Sequence, residues 1–392
     1  MAKKGVIEVG FIGILHGILH IYESALPPIY ILLQKEFNVS SLELGLIGTV
    51  FSIAGVFQAG TGYLAVRVGR KRLTAMGMLI YTVSMFAFGL SPSFLVFLPL
   101  VALAGLGAST FHPATYSMIS EAVPREHITK SMAYHQLGGF AGGAAGVALV
   151  GSLALYVGWR SALQLLVIPG LLVTAIFWFI VKEGKTTRDN EEKRTESETR
   201  FNITPPLMLI VLETTIAALG GGVARFLPMF LAVEYGESTA MAGILTGVMQ
   251  GVGCVSLLIG GVVADRFDKV LLISIFSFLT GTSTIILASG HFSFELLVLI
   301  LVARGFCQYF AGPARHALTA LVSGRGPQGI GLEFAGTAVG SIFATPIAGF
   351  LIDLLGMRTA FFILTAFTFL AGANILLLKR WSSSYAVQEV SM

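Results

Sequence analysis

The chain has 392 residues, of which 55% are hydrophobic and only 12% are charged. Soluble proteins usually carry about 25% charged residues, so this composition excludes a soluble globular protein. The net charge of +4 does not indicate nucleic-acid binding, because the basic residues lie in short loops between apolar segments. The chain has only two cysteines, and they are far apart in sequence, which excludes a disulfide framework.

Long apolar runs recur along the whole chain. A helix needs about 20 apolar residues to cross a bilayer, and runs close to this length can be placed twelve times. We therefore predict an all-α integral membrane protein with twelve transmembrane helices. The predicted spans are residues 9–33, 43–65, 73–90, 94–119, 131–154, 162–181, 205–232, 239–263, 270–289, 295–321, 328–352 and 358–379.

A polar segment divides the spans into two groups of six. Residues 182–204 mix acidic and basic side chains and have no apolar face to bury, which indicates a linker. The predicted organisation is an N-terminal six-helix bundle at 1–181, a cytoplasmic linker at 182–204, a C-terminal six-helix bundle at 205–380 and a cytoplasmic tail at 381–392.

The distribution of lysine and arginine predicts the orientation in the membrane. With the N-terminus inside, nineteen of the 25 basic residues lie in cytoplasmic segments, and the outer loops hold only Lys35, Arg160 and Arg358. Cytoplasmic loops carry an excess of these residues. We therefore predict a multi-pass protein of the cell membrane with both termini in the cytoplasm.

The two halves of the chain repeat at an offset close to 200 residues. Three matched pairs lie in equivalent places: Leu26–Tyr30 with Phe226–Phe230, His112-Pro113 with Gly312-Pro313, and Gly158–Ala162 with Gly356–Ala360. Parallel repeats of six helices are the arrangement of the major facilitator superfamily. Such repeats predict two pseudo-symmetric bundles with a substrate site between them, near the middle of the membrane.

The segment between the second and third predicted spans resembles the signature loop of that superfamily, Gly-x-Leu-x-Asp-Arg-x-Gly-Arg-Lys. It reads Gly62–Lys71 here, and Gly261–Arg266 is a shorter echo in the second half. The resemblance implies a conformational loop formed by Gly62, Arg67, Gly69, Arg70, Asp265 and Arg266. Val66 replaces the signature aspartate, which leaves open whether the first-half latch forms.

A narrower resemblance is to the fosmidomycin-resistance-like transporters. Their first span reads His-x-x-Asn-Asp-x-Tyr-x-x-Ala-Leu-Pro, and His16–Pro27 matches it except that Leu19-His20 replace Asn-Asp. Gly105–Pro113 and Gly138–Val147 are similar to two further segments of that group. The resemblance implies an exporter of a drug or metabolite, driven by protons and associated with drug resistance.

His16, His20 and Glu23 are candidates for proton coupling. They are spaced four and three residues apart, so they lie on one face of the first helix. Histidine titrates near neutral pH, although the same side chains could instead only bond neighbouring helices. We predict no metal site, because the sequence shows no further cluster of ligands.

The candidates for substrate binding are Arg225, Arg304, His112, Gln308 and Tyr22. Arg225 lies between three glycines and Pro228, and irregular backbone at membrane depth is tolerated where it lines a cavity. Arginine suits carboxylate or phosphate groups. His112 could equally bond a carbonyl that Pro113 leaves free.

Glu213, Arg315 and Glu333 lie at similar depth in the cytoplasmic halves of their spans. Charges inside a membrane must be paired or hydrated, since each costs about 2.5–3.5 kcal/mol at the centre of a span. We predict that these three residues form a structural charge cluster.

The leading functional prediction is a secondary transporter working by alternating access, a proton antiporter that exports a small, anionic drug or metabolite. The alternatives are an uptake symporter for an organic anion and a non-transporting membrane sensor. No Walker motif or catalytic constellation occurs. We therefore predict no enzyme activity, cofactor, nucleotide or nucleic-acid partner, and a monomer whose partners are protons, a small-molecule substrate and the lipid bilayer.

Overall fold

The computed structural model describes residues 3–124, 127–183, 203–323 and 327–381. All regular structure within these ranges is helical, so the prediction of an all-α protein is confirmed. Most of the predicted linker (184–202) and of the predicted tail (382–392) lies outside the described residues.

Seventeen α-helices cover the described residues. The helices before the linker are α1 (Lys3–Glu23), α2 (Tyr30–Phe37), α3 (Ser41–Val56), α4 (Gln58–Val68), α5 (Arg70–Leu90), α6 (Phe94–Ser109), α7 (Phe111–Ala122), α8 (Ile128–Leu165) and α9 (Val167–Ile180). The helices after it are α10 (Pro205–Gly220), α11 (Val223–Glu234), α12 (Thr239–Ala264), α13 (Lys269–Ser289), α14 (Phe294–Phe310), α15 (Gly312–Val322), α16 (Pro327–Leu355) and α17 (Met357–Leu376).

Ten stretches of the described residues are long and apolar enough to cross a membrane, against twelve predicted spans. The fifth and sixth spans form one stretch, Lys130–Ile180, which is kinked at Gly158. The second span breaks at Phe57 into α3 and α4, with 16 and 11 residues. Neither part reaches the length that a bilayer requires.

Four further predicted spans are each built from two helices. The first is broken by a 3₁₀ turn at Pro27–Ile29, and the seventh is broken after Gly220. The fourth and tenth are broken at Thr110 and Ala311. Proline lies at or within three residues of the break in the first, fourth and tenth spans, where it removes a backbone donor, whereas glycines 220–222 lie at the break in the seventh. The breaks therefore fall at equivalent places in the two halves.

The chain forms two compact units. The first contains Met1–Val39, Leu46–Ser197 and Leu231–Gly247, and the second contains Ser40–Gly45, Glu198–Phe230 and Val248–Met392. In the first unit, α1 packs against α8 and α9, and α5 packs against α6 and α9. In the second, α10 packs against α16 and α17, and α13 packs against α14 and α17. Equivalent spans thus have equivalent neighbours, as the repeat predicts, while the predicted domain limits remain a prediction.

A glycine turn is repeated in both units. Gly158 has φ 77° and ψ 155°, and Gly356 has φ 82° and ψ 163°, a region that only glycine readily adopts. Each turn is followed by an arginine that caps a nearby helix end. Arg160 donates to the carbonyl of Gly89 at 3.0 Å, and Arg358 donates to that of Ala288 at 3.0 Å.

We expect Gly158→Ala to lower the free energy of unfolding by about 1–3 kcal/mol, the usual cost of a strained backbone conformation. A methyl group at this position would meet nothing within 4 Å, so strain alone sets the effect. Gly251→Ala on α12 is the matched control, since it also faces open space and has no positive φ. Thermal unfolding in detergent measures both, and equal stabilities would show that the turn does not require glycine.

Candidate functional site

A stripe of glycines brings α8 close to α1. A methyl group at Gly138 or Gly142 would overlap the backbone of Gly13 or Gly17, and small residues permit such close approach of membrane helices. Gly139 makes room for side chains instead, because a methyl group there would lie 2.5 Å from the His16 ring. The glycines that the sequence places in the fifth span therefore position the imidazoles of the first.

The three predicted proton-coupling residues form one hydrogen-bonded chain. His16 Nδ1 lies 2.7 Å from the backbone oxygen of His135, and His16 Nε2 lies 2.9 Å from His20 Nε2. His20 Nδ1 lies 2.8 Å from a carboxylate oxygen of Glu23. His16 is buried, whereas the side chains of His20 and Glu23 are 29% and 21% exposed. The chain thus runs from a partly exposed carboxylate to a buried imidazole.

The donors and acceptors along this chain determine how many protons it holds. A carbonyl oxygen only accepts, so His16 Nδ1 carries a proton. If both imidazoles were neutral and Glu23 ionised, His20 would have one proton for two contacts, and the other contact would join two acceptors. The contact of His20 with His16 and its contact with Glu23 therefore form together only when the three side chains hold one additional proton.

Other titratable groups surround the chain. The ring of His135 stacks on His16 at 4.0 Å, and the ring of His112 lies 5.0 Å from His16. Tyr116 lies 5.4 Å from the His135 ring, while α9 contributes no titratable residue. His112 Nδ1 and both ring nitrogens of His135 are buried without a hydrogen-bond partner among the described residues.

His16, His112 and His135 each place a ring nitrogen within 4.8 Å of the other two. Imidazole binds a metal ion in the plane of its ring, but the rings of His16 and His135 are stacked with an angle of only 9° between them. Their lone pairs therefore lie in two separate parallel planes and do not converge. This geometry disfavours a metal ion shared by the three histidines, and the expected lack of a metal site remains a prediction.

Arg304 lies in a pocket of neutral partners in the second unit. Its Nε donates to the Thr284 hydroxyl at 3.0 Å, and its Nη1 donates to the side-chain oxygen of Gln308 at 2.8 Å. Nη1 also lies 3.1 Å from the sulfur of Met249. Arg304 is only 3% exposed. The structure thus joins two predicted substrate-binding residues, Arg304 and Gln308.

The predicted charge cluster forms two neighbouring pairs. Arg315 donates two hydrogen bonds of 2.8 Å to Glu213, which is completely buried. Glu333 accepts a hydrogen bond of 2.6 Å from Thr319 and lies 2.8 Å from His316 Nδ1. The sequence alone does not indicate His316, because its partner Glu333 lies on another helix and no periodic pattern links the two.

Comparison with protein families decides the classification. Residues 12–290 and 217–386 match the model of the Major Facilitator Superfamily. This chain belongs to the major facilitator superfamily. Membership confirms the predicted fold class and the prediction that the chain is not an enzyme.

Individual relatives of this superfamily member are distant. The chain is 26% identical to the cis,cis-muconate transport protein of Acinetobacter baylyi over 60% of each chain. It is 26% identical to the hexuronate transporter of Bacillus subtilis over 60% of this chain and 59% of that protein. The matches therefore span about three fifths of the length of these relatives.

A solved structure is similar over nearly the whole chain. It is a bacterial homolog of the human lysosomal transporter Spinster, in an inward-facing and occupied conformation. The TM-score is 0.84 at 15% identity, with 97% of this chain and 98% of that chain covered. This similarity supports the superfamily fold.

A carboxylate from outside the signature loop contacts the end of the loop, at the start of α5. Arg70 is buried and forms an ion pair with Glu121, and Gly69 adopts φ 100° before α5. Glu183 accepts a hydrogen bond of 3.1 Å from the backbone of Lys71, in the first turn of α5. A carboxylate is favourable at this end of a helix, and Val66 cannot supply one.

The remaining members of the predicted loop are Gly62, Arg67, Asp265 and Arg266. Gly62 lies within α4, and Arg67 stacks over the Tyr63 ring at 4.4 Å. Asp265 and Arg266 are exposed in the turn after α12. The carboxylate that caps α13 belongs to Asp268, which accepts from the backbone of Leu271 at 3.0 Å. A conformational role for the loop remains a prediction.

The other substrate-binding candidates differ in their surroundings. Tyr22 is buried, and its hydroxyl donates to the carbonyl of Leu166 at 3.0 Å and lies 3.2 Å from the Thr82 hydroxyl. These bonds give no support to substrate contact by Tyr22. Arg225 is half-buried in α11, just after the break that precedes this helix, and His112 belongs to the histidine group of the first unit.

We expect Glu213→Gln to destabilise the protein by about 1.5–3 kcal/mol, because it removes a charged hydrogen-bond acceptor from the half-buried Arg315. Glu36→Gln is the control, since Glu36 and its partner Arg160 form a more exposed pair and such pairs contribute about 0–1 kcal/mol. Thermal unfolding in detergent measures both variants. A Glu213→Gln protein as stable as Glu36→Gln would contradict the structural role of the cluster.

Proposed function

We propose that this protein is a proton-coupled secondary transporter that exports a small, anionic drug or metabolite by alternating access. The observation that carries the proposal is the chain of His16, His20 and Glu23. When the chain loses its additional proton, His20 loses its contact either with His16 or with Glu23. A contact that depends on a proton is what couples a proton gradient to a change in conformation.

The exposure along the chain supports this role. Glu23 and His20 are partly exposed, as proton exchange with a water-filled cavity would require. His16 is buried and bonded to the backbone of α8 through the carbonyl of His135. Protonation at the exposed end therefore changes a contact of a residue that links α1 to α8. We further propose that the protein works as a monomer, without nucleotide.

The proposed substrate and direction have separate support. The relatives that transport muconate and hexuronate carry organic acids, which favours an anionic substrate. Export follows from the motifs similar to the fosmidomycin-resistance-like transporters, a resemblance that remains a prediction. Uptake by symport is the second candidate, because it uses the same fold and differs in the relative direction of the two fluxes.

Proteoliposomes that contain a trapped pH-sensitive dye test the coupling. Phosphonates, organic acids and cationic amphiphiles are added outside in turn. An antiporter releases protons as substrate enters, so the lumen becomes more alkaline, whereas a symporter makes it more acidic. A folded protein that gives no proton flux with any compound would overturn the proposal.

We expect Glu23→Gln to abolish proton flux driven by substrate while substrate exchange without a gradient continues. An amide can bond His20 without an additional proton, so the chain no longer changes with protonation. Glu8→Gln is the control, because Glu8 lies on the same helix outside the chain. Normal proton flux in Glu23→Gln would remove Glu23 from the coupling mechanism.

We also infer that both termini lie in the cytoplasm, from the excess of lysine and arginine in the corresponding segments. Trypsin added to inside-out membrane vesicles is expected to cleave the linker at 182–204, which contains six basic residues. Right-side-out vesicles should protect it. Mass spectrometry of the released peptides gives the result, and linker peptides from right-side-out vesicles would reverse the orientation.

A further inference from the structure

We propose that Arg304 and Gln308 form a binding site for the carboxylate group of a small organic acid. This inference rests on the proposed function, because the acid bound there would be the transported substrate. It assigns the substrate class and the atoms that recognise it, which the proton chain of the first unit does not determine.

The charge of Arg304 is the first reason. The buried Arg70 and the half-buried Arg315 each have a glutamate partner. Within the part of the chain that the structure describes, Arg304 bonds only to a hydroxyl, an amide oxygen and a thioether. A buried charge without an opposite charge is strongly unfavourable. An anion from outside the chain would supply the missing charge.

The unused donors are the second reason. Nε and Nη1 of Arg304 are occupied, and Nη2 has no partner among the described residues. The side-chain oxygen of Gln308 accepts a hydrogen bond from Nη1. The amide nitrogen of Gln308 is directed away from Arg304 Nη1, and its two protons have no partner in the described ranges. Two adjacent donor groups, one of them charged, match the two oxygens of a carboxylate.

The packing of α14 on α12 is the third reason, since it holds Arg304 in place. A methyl group on Gly305 would overlap the backbone oxygen of Met249, so the two helices are in close contact there. This contact places the Met249 sulfur against Nη1. Ser256 on α12 also donates to the backbone oxygen of Phe306. A guanidinium that is already ordered loses less entropy when it binds a ligand.

The test measures binding to the purified full chain in detergent, without a proton gradient. The probes are cis,cis-muconate, galacturonate and benzoate, each compared with its neutral amide by isothermal titration calorimetry. Protection of Cys307, one helical turn from Arg304, against N-ethylmaleimide reports whether the acid binds at this place. We expect at least one acid to bind about tenfold more tightly than its amide, which corresponds to the loss of one charged contact.

Three variants locate the site. Arg304→Gln is expected to weaken acid binding roughly 30-fold or more, as for the loss of a buried charged partner. Gln308→Glu is expected to do the same and to raise the unfolding temperature, because its own carboxylate would pair with Arg304. Arg358→Gln is the matched control, since Arg358 bonds backbone carbonyls in the same unit, and it should bind acids normally.

Two results would overturn the inference. One is that no acid of the set binds better than its amide, and the other is that Gln308→Glu binds acids as well as the unmodified protein does. Gln308→Glu remains informative if Arg304→Gln does not fold. Failure of the proposed function is distinguishable, because an acid that binds through Arg304 but moves no protons would refute coupling and leave the binding site intact.

Discussion

The absence of water inside the bilayer is the constraint on which this structure depends. A polar group in hydrocarbon must find its partner within the protein. The backbone meets this requirement by forming helices throughout the described ranges. Arg70, which is buried, and Arg315, which is half-buried, meet it through glutamates. The chain of His16, His20 and Glu23 and the guanidinium of Arg304 do not meet it with fixed charges alone, and both belong to the candidate functional sites.

In the first of these places, the missing component is a proton. The contacts between His16, His20 and Glu23 are complete only when the chain carries one more proton than its neutral imidazoles and ionised carboxylate hold. In the second, the missing component is a negative charge beside Arg304. A site that the protein leaves incomplete is where a transported ion or molecule can change the balance between conformations.

Local pattern predicted much of this arrangement. His16, His20 and Glu23, and likewise Arg304 and Gln308, share a helix, so their spacing alone indicates that they meet. Contacts between helices follow no such period. The stacking of His135 on His16, the bonds of Arg304 to Thr284 and Met249, and the carboxylate of Glu183 at α5 join residues far apart in sequence.

The boundaries of the helices show the same limit. Breaks near proline were predictable, because proline lacks the donor that a helix needs. The break at Phe57 has no proline beside it, and the kink at Gly158 depends on a backbone conformation that the sequence does not reveal by itself. Hydropathy counts apolar residues, and it therefore does not separate one long helix from two shorter ones.

The proposed proton chain and the proposed anion site together predict how transport would respond to the membrane potential. Export of a monovalent carboxylate in exchange for one inward proton moves two charges in the same electrical sense. An interior-negative potential contributes about 2.3 kcal/mol per charge for each 100 mV, so it drives this exchange strongly. Symport of the same two species moves no net charge and gains nothing from the potential. The proposed export would therefore depend strongly on the membrane potential, whereas uptake of the same acid with one proton would not.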